Sequence, residues 1–167
     1  VLPNGSAIPV SYVELAVYVT NSYFVPVEVR YNGFRFVWLI YNRTVTNPED
    51  VVGNKDSLVW GAFESPYVKS IWCSYGFDLW DTDLGNMTGY EYYLARKDLS
   101  NYTKTIPVGT YRQLVFYWSL FAPISYWYGQ DLHGRPVSPG TYYTYCIAYG
   151  KVAGPLNLTV TSILWSP

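Results

Sequence analysis

Apolar and polar residues alternate along most of the chain with a period of two, the spacing at which side chains return to the same face of a β-strand. The alternation is clearest over residues 12–20. The apolar positions on one face of this segment are Val13, Leu15, Val17 and Val19. A second alternating stretch covers residues 25–29. The dipeptide Asn32-Gly33 that follows it predicts a two-residue hairpin into a third strand over residues 34–40.

The rest of the chain continues in the same way. Further strands are predicted over residues 58–63, 68–75, 90–95, 111–120, 124–128, 141–149 and 156–164. The stretch from Asn42 to Asp56 is polar and contains proline and glycine, so it predicts a loop. The nearest candidate for a helix is Tyr90 to Leu99, but its short length and tyrosine content favour a strand. Short strands at this spacing predict an all-β fold, an immunoglobulin-like β-sandwich.

The composition supports sheets. Aromatic residues make up 20% of the 167 residues, with 19 tyrosines and 7 tryptophans. Such side chains suit the half-buried surface of a sheet. Their function stays open at this point: they could fill a sandwich core, stack on sugars from an exposed face, or form subunit contacts, where tyrosine and tryptophan are enriched.

Charge narrows the range of partners. Charged residues are 14% of the chain, and the formal net charge is −1. Lysine and arginine are scattered singly, so no nucleic-acid partner is expected, because that binding needs clustered cations. The low charge density fits a rigid extracellular module. It also fits a habitat in strong acid, where protonated carboxylates no longer form ion pairs.

Five matches to the N-glycosylation motif Asn-x-Ser/Thr indicate an exported protein. Their asparagines are Asn4, Asn42, Asn86, Asn101 and Asn157. The alternative is an asparagine- and threonine-rich β-protein whose motifs stay unmodified. The chain opens on Val1 without a basic leader, so we expect a mature product after signal removal, or a recombinant fragment. No stretch reaches the roughly 20 apolar residues of a spanning helix, so no membrane span is expected.

The two cysteines, Cys73 and Cys146, both lie in predicted strands. Two cysteines in an exported protein usually pair, which predicts a disulfide; the alternative is two buried free thiols. The chain has one histidine, His133, in a predicted turn, so neither a catalytic triad nor a Cys/His metal site is expected. Asp81-x-Asp83 lacks the glycine and distal glutamate of a calcium loop. We therefore expect no catalytic residue, no metal site and no cofactor other than covalent N-glycans.

One segment has a specific pattern. Residues 128–142, YGQDLHGRPVSPGTY, resemble the late hairpin of many bacterial and archaeal immunoglobulin-like modules. In those modules an aromatic-Gly-x-Asp-x-x-Gly turn precedes Pro-x-Gly-x-Tyr at the start of a strand. Gly134 and Gly140 permit positive φ, and Tyr142 can pack back over the loop. The resemblance covers about a fifth of the chain and concerns the fold alone.

The first strand has two interpretations. It is either the first strand of its own sandwich or a donor strand that completes the open sheet of the next subunit by β-augmentation. On the second interpretation residues 1–22 form an N-terminal extension and residues 23–167 form the sandwich domain. The four apolar residues of the alternating face would then be the plugs that fill the acceptor groove. Such a head-to-tail contact does not close and produces a filament.

A tyrosine-rich, charge-poor, multiply N-glycosylated sandwich with an N-terminal β-extension resembles the pilin-like subunits of archaeal threads. These are donor-strand filaments of thermoacidophilic archaea, similar in fold to type I pilins. Residues 8–20 match the position of the donated strand. The resemblance implies an extracellular surface filament of identical subunits for adhesion or biofilm formation, with contacts to a surface or cell coat and no catalysis. The chaperone-usher context of bacterial pilins is not visible in one sequence.

Two other functions stay open. The first is a secreted, glycosylated carbohydrate-binding or cell-coat module, associated with an S-layer and monomeric in solution. The second is a secreted β-sandwich enzyme.

Overall fold

The computed structural model describes residues 12–64, 71–72, 79–81, 85–98, 101–106, 108 and 124–161. Within these ranges the protein is all-β apart from one short helix, and every pair of strands is antiparallel. The elements are β1 Val13–Ala16, β2 Val27–Asn32, β3 Phe36–Tyr41, β4 Leu58–Glu64, β5 Ile71–Trp72, β6 Leu79–Asp81, β7 Gly85–Met87, α1 Gly89–Arg96, β8 Asn101–Ile106, β9 Ile124–Trp127, β10 Gly140–Ala148 and β11 Lys151–Val160. The all-β class predicted from the alternation is confirmed.

A five-stranded sheet with the order β11-β10-β3-β4-β5 forms the centre of the described fold. Three two-stranded ribbons accompany it, formed by β1 with β9, β2 with β8, and β6 with β7. All six residues of β3 are buried, as expected of a strand covered on both faces.

Alternate residues of β3 enter two different cores because successive side chains point to opposite faces. Phe36, Trp38 and Ile40 pack with residues of the β1–β9 and β2–β8 ribbons. The ribbon residues buried in this first core are Leu15, Tyr31, Ile106 and Trp127. A sheet and two ribbons therefore share one apolar layer.

The opposite face of the central sheet forms a second core. Val37, Leu39 and Tyr41 lie in it together with Tyr92 and Tyr93 of α1. The loop after β3 also contributes, through the buried Val51. Tyr41 donates a hydrogen bond from its hydroxyl to the carbonyl of Pro48 at 2.6 Å, which holds that loop onto the sheet. The loop predicted from Asn42 onward is confirmed.

The expected strand over residues 90–95 is wrong, because this segment forms α1. The Thr88 hydroxyl accepts a hydrogen bond from the backbone N–H of Glu91 at 3.0 Å and so caps the helix. Tyr92 and Tyr93 fall on one side of the helix and contact Phe63 of the sheet at ring distances of 5.7 and 5.9 Å. Tertiary burial of these rings outweighs their local preference for a strand.

The expected hairpin at Asn32-Gly33 is also wrong. Gly33 does adopt the positive φ of +64° that the dipeptide favours. However, β2 pairs with β8, and β3 pairs with β10 and β4, so the chain passes from one sheet to another at this turn. A Cβ at Gly33 would lie 2.6 Å from the carbonyl oxygen of Lys97 after α1, so a close approach also requires glycine here.

Most other strand predictions are confirmed with shifted ends. The second strand begins at Val27, and the last begins at Lys151, five residues before the predicted start at Leu156. Residues 111–120 and most of the predicted strand over 68–75 lie outside the described residues. None of the described helical structure is long and apolar enough to cross a membrane.

Candidate functional site: the first strand and its elbow

Strand β1 pairs with β9 of the same chain. The four pairs of the ladder run from Val13 opposite Trp127 to Ala16 opposite Ile124. Among the residues that the structure describes, β9 is the only strand with which β1 pairs. Within the described residues, a single four-residue ladder joins β1 to β9, and these two strands form a ribbon separate from the central sheet.

The predicted two faces of the first segment are confirmed. Leu15 is buried, with 8% of its surface exposed, and lies in the first core. The other apolar residues of this face, Val13, Val17 and Val19, are partly buried against the same core. The intervening residues from Tyr12 to Thr20 are exposed. The face expected to act as plugs thus packs on the first core of its own chain, and its donation to another subunit stays a prediction.

Trp127 lies in β9 beside β1 and is buried in the first core. It is 1% exposed and lies opposite Val13 in the ladder. Its indole N–H donates to the carbonyl of Gln130 at 2.8 Å, so its polar atom is satisfied. Its ring meets the Tyr142 ring edge-on at 5.6 Å. A hydrogen bond and a ring contact thus fix the orientation of the Trp127 indole beside β1.

An elbow of residues 21–26 connects the first segment to β2. Asn21 is 4% exposed and its amide nitrogen donates to the carbonyls of Val25 at 3.0 Å and Ile106 at 2.9 Å. Its amide oxygen accepts from the backbone N–H of Tyr23 at 2.9 Å. One buried side chain thereby fixes the elbow internally and ties it to the end of β8.

The outer face of the β1–β9 ribbon carries exposed tyrosines. Tyr12 contacts Tyr126 at a ring distance of 5.7 Å and Tyr128 at 5.9 Å. The nearby Glu14 carboxylate raises the pKa of Tyr126, because a second negative charge beside it is unfavourable. Rings that stay this exposed can contact a ligand or another protein.

The turn that resembles immunoglobulin-like modules has the expected geometry. Asp131 Oδ1 accepts from the backbone N–H groups of His133 at 2.8 Å and Arg135 at 3.0 Å. Gly134 has a φ of +76°. The hydroxyl of Tyr142 donates to the carbonyl of Ser138 at 2.5 Å, so Tyr142 does return over the loop. His133 is an exposed residue of this turn.

Four of the five glycosylation motifs fall in the described residues, and all four asparagines are exposed. Asn42 follows β3 directly, and Asn101 is the first residue of β8. Asn86 lies within the short β7, and Asn157 lies inside β11, an edge strand of the central sheet. Asn4 lies outside the described residues. Exposure makes the four sites sterically suitable for a glycan.

Cys146 lies in β10 opposite Trp38 and is a free thiol in the structure. Burial raises its pKa to about 12 because a thiolate loses its hydration there. Cys73 lies outside the described residues, so the disulfide stays a prediction.

Elsewhere in the described residues, the acidic side chains are not grouped in a way that would form a metal site. Asp81 ends β6, and Asp83 lies outside these ranges. No group of three or more His, Cys, Asp or Glu side chains is placed to hold a metal ion in the described part of the chain. An open cleft of about 380 Å³ is lined by residues of both charges, including Arg30, Glu49 and Lys97. No family model, curated protein or solved structure matches the chain.

Sequence reasoning located the inner face of β1 but missed the elbow. The residue types of Asn21-Ser22 are typical of a turn. That Asn21 would be buried depends on Ile106, 85 residues further along the chain. The exposed tyrosines of the ribbon were likewise not distinguishable from core tyrosines before the strands were paired.

Proposed function

We propose that this chain is the structural subunit of an extracellular filament, in which β1 of one subunit fills the groove beside β9 of the next. The observation that carries the proposal is the attachment of β1. In the described part of the chain it is an apolar-faced strand joined through one short ladder to β9, and its inner face supplies Leu15 to a core formed by other strands. If identical chains exchange β1, the strand makes the same contacts as before, but it comes from a different subunit.

The physical basis of assembly is the open groove. If β1 leaves, the backbone groups of Ile124 to Trp127 on that edge lose their partners, and apolar surface around Trp127 reaches water. Both changes are costly, so the groove will accept an identical strand from another subunit. Each subunit donates one strand and accepts one, so the contact is head-to-tail and the product is a filament.

The finer architecture that we propose is a pilin-like, immunoglobulin-like β-sandwich over residues 23–167 with a donor extension over residues 1–22. The hydrogen bond from Tyr142 to a carbonyl four residues upstream supports it, because a returning tyrosine of this kind is typical of such sandwiches. The shared core between the central sheet and the β1–β9 and β2–β8 ribbons supports it further.

The proposal also includes the location of the protein at the cell surface and its lack of catalysis. The exposed asparagines of the four described motifs support an N-glycosylated surface protein. We assign it a role in adhesion or biofilm formation, with contacts to a surface or cell coat, no cofactor and no catalytic step.

Removal of residues 1–20 tests the donor strand. We expect the truncated protein not to polymerise and to gain thermal stability on adding a synthetic peptide of residues 7–20. The matched control peptide carries Leu15→Asp and should bind weakly, because it would bury a charge in the core. Electron microscopy of the full chain provides the second measurement. A truncated protein that ignores the peptide, together with a full chain that forms no filaments, would contradict the proposal.

A second candidate function is carbohydrate binding by a monomer, favoured by the exposed rings of Tyr12, Tyr126 and Tyr128. On this hypothesis Tyr126→Ala lowers affinity for a polysaccharide at least tenfold, while Tyr23→Ala on the elbow leaves it unchanged. Calorimetric titration of the monomer with soluble polysaccharides measures both. If no polysaccharide binds the wild-type monomer, this candidate is excluded.

A further inference from the structure

The elbow presents three consecutive apolar side chains to water. Tyr23 is 69% exposed, Phe24 100% and Val25 63%. Single exposed apolar residues are common on protein surfaces, but a contiguous exposed group of large ones is typical of a contact site. Among the described residues, none covers Phe24, so the packing seen in this part of the chain does not account for an aromatic side chain here.

The elbow is held in shape before any partner arrives. Asn21 bonds to the N–H of Tyr23 and to the carbonyl of Val25, so one side chain fixes both ends of the exposed tripeptide. Its third bond, to the carbonyl of Ile106, attaches the elbow to β8. A pre-formed loop loses little conformational freedom on binding, which favours association.

We propose that Tyr23, Phe24 and Val25 form a second contact between consecutive subunits, and that their partner is a second copy of this chain. The inference rests on the proposed donor-strand function. The chain advances at most about 3.6 Å per residue, so Phe24 lies within roughly 15 Å of Thr20, where the alternating segment ends. Any subunit that receives β1 therefore lies beside the elbow.

The hydrogen bonds of Asn21 also indicate where the chain bends when β1 is donated to another subunit. Asn21 is tied to β8 of its own subunit, and Val19 is the last of the proposed plugs, so the chain changes direction at about Thr20. The elbow keeps its shape during the exchange. If the donated strand keeps the register seen here, Ala16 lies opposite Ile124 of the acceptor, and the elbow meets the acceptor at that end of β9.

The test compares Phe24→Asp with Val52→Asp in the full chain. Val52 is 53% exposed and lies in the loop after β3, away from β1. Neither variant should change the thermal unfolding of the monomer. We expect Phe24→Asp to slow filament growth at least tenfold, measured by light scattering and electron microscopy, and Val52→Asp to stay within twofold of the wild type. Tyr23→Ser should give a smaller decrease than Phe24→Asp.

The outcomes separate this inference from the function on which it rests. The peptide of residues 7–20 ends before the elbow, so a Phe24→Asp chain lacking residues 1–20 should still bind it with wild-type affinity. Normal filament growth by Phe24→Asp would overturn the elbow contact and leave donor-strand exchange intact. Failure of wild-type chains to polymerise would overturn both. Loss of binding to lipid vesicles or polysaccharide by Phe24→Asp, with growth unchanged, would assign the elbow to that other partner.

Discussion

At the scale of single residues, the burial of hydroxyl and thiol groups determines how the stability of the protein depends on pH. Burial raises the pKa values of Tyr41 and Tyr149 well above the ordinary tyrosine value, and it raises that of Cys146 to about 12. Desolvation is the first cause for all three, because their anions lose hydration in the core. All three groups are protonated in neutral and acidic solution, so they do not contribute to any loss of stability in acid.

The consequence is a loss of stability in alkaline solution. Above about pH 10 for the tyrosines, and above about pH 9 for Cys146 in reduced protein, the unfolded chain releases these protons while the folded chain retains them. The free energy of unfolding must therefore fall as the pH rises through this range and towards the folded pKa values. Urea unfolding between pH 7 and 11.5 measures the slope. A stability that stays constant up to pH 11.5 would contradict the burial of these groups.

Tyr41→Phe is the matched variant for that experiment. It should lose about 1 kcal/mol at pH 7, because the hydrogen bond to Pro48 disappears, and it should show a shallower alkaline slope than the wild type.

At the scale of elements, α1 shows how a capping residue and burial together determine a structure. Thr88 caps the helix, Glu91 lies in its first turn, and Tyr92 and Tyr93 bury one face. Thr88 is also the third residue of the glycosylation motif that begins at Asn86. The same threonine thus belongs to both the helix cap and the sequence motif.

Two substitutions separate these roles in unglycosylated protein. Thr88→Ala should lower the free energy of unfolding by about 1 kcal/mol, because the N–H of Glu91 loses its acceptor. Asn86→Gln removes the same motif, keeps the cap, and should change stability by less than about 0.5 kcal/mol, since Asn86 is exposed. Thermal or urea unfolding compares them. Equal effects of the two variants would show that the cap does not stabilise the helix.

At the scale of the whole molecule, β11 is an edge of the central sheet as far as the described strands extend. Its residues Lys151 to Asn157 are exposed, and they include the apolar Val152 and Leu156. An exposed apolar edge is a site for unwanted pairing between sheets. Pro155 offers no N–H to a partner, and a glycan on Asn157 would cover the remaining edge.

We therefore expect Asn157→Gln in glycosylated protein to increase lateral association of chains. Asn42→Gln removes a glycan from a turn rather than from the edge and is the control. Light scattering at increasing protein concentration should show aggregation at a lower concentration for Asn157→Gln than for Asn42→Gln. Identical behaviour of the two variants would mean that the Asn157 glycan does not protect the edge.

The sequence predicted those elements whose structure depends on residues close together in the chain. The alternation around Leu15 predicted both a strand and its inward face, because the period of side chains is a property of the backbone alone. The turn at Asp131 to Gly134 was recognisable for the same reason, since its hydrogen bonds join neighbouring residues. The exposure of the asparagine in each described glycosylation motif also agrees with the sequence.

Only the tertiary structure decided what depends on distant partners. Asn32-Gly33 adopts the local conformation expected of it, yet it joins two different sheets because β2 finds its partner in β8, about 70 residues away. The segment of Tyr92 became a helix because Phe34 and Phe63 offered it a surface to pack on. The chain alone thus determined a strand-rich protein with an apolar first strand. Pairing across long separations decided that this strand lies beside β9 with Leu15 in the first core, and that Phe24 is exposed in the described part of the chain.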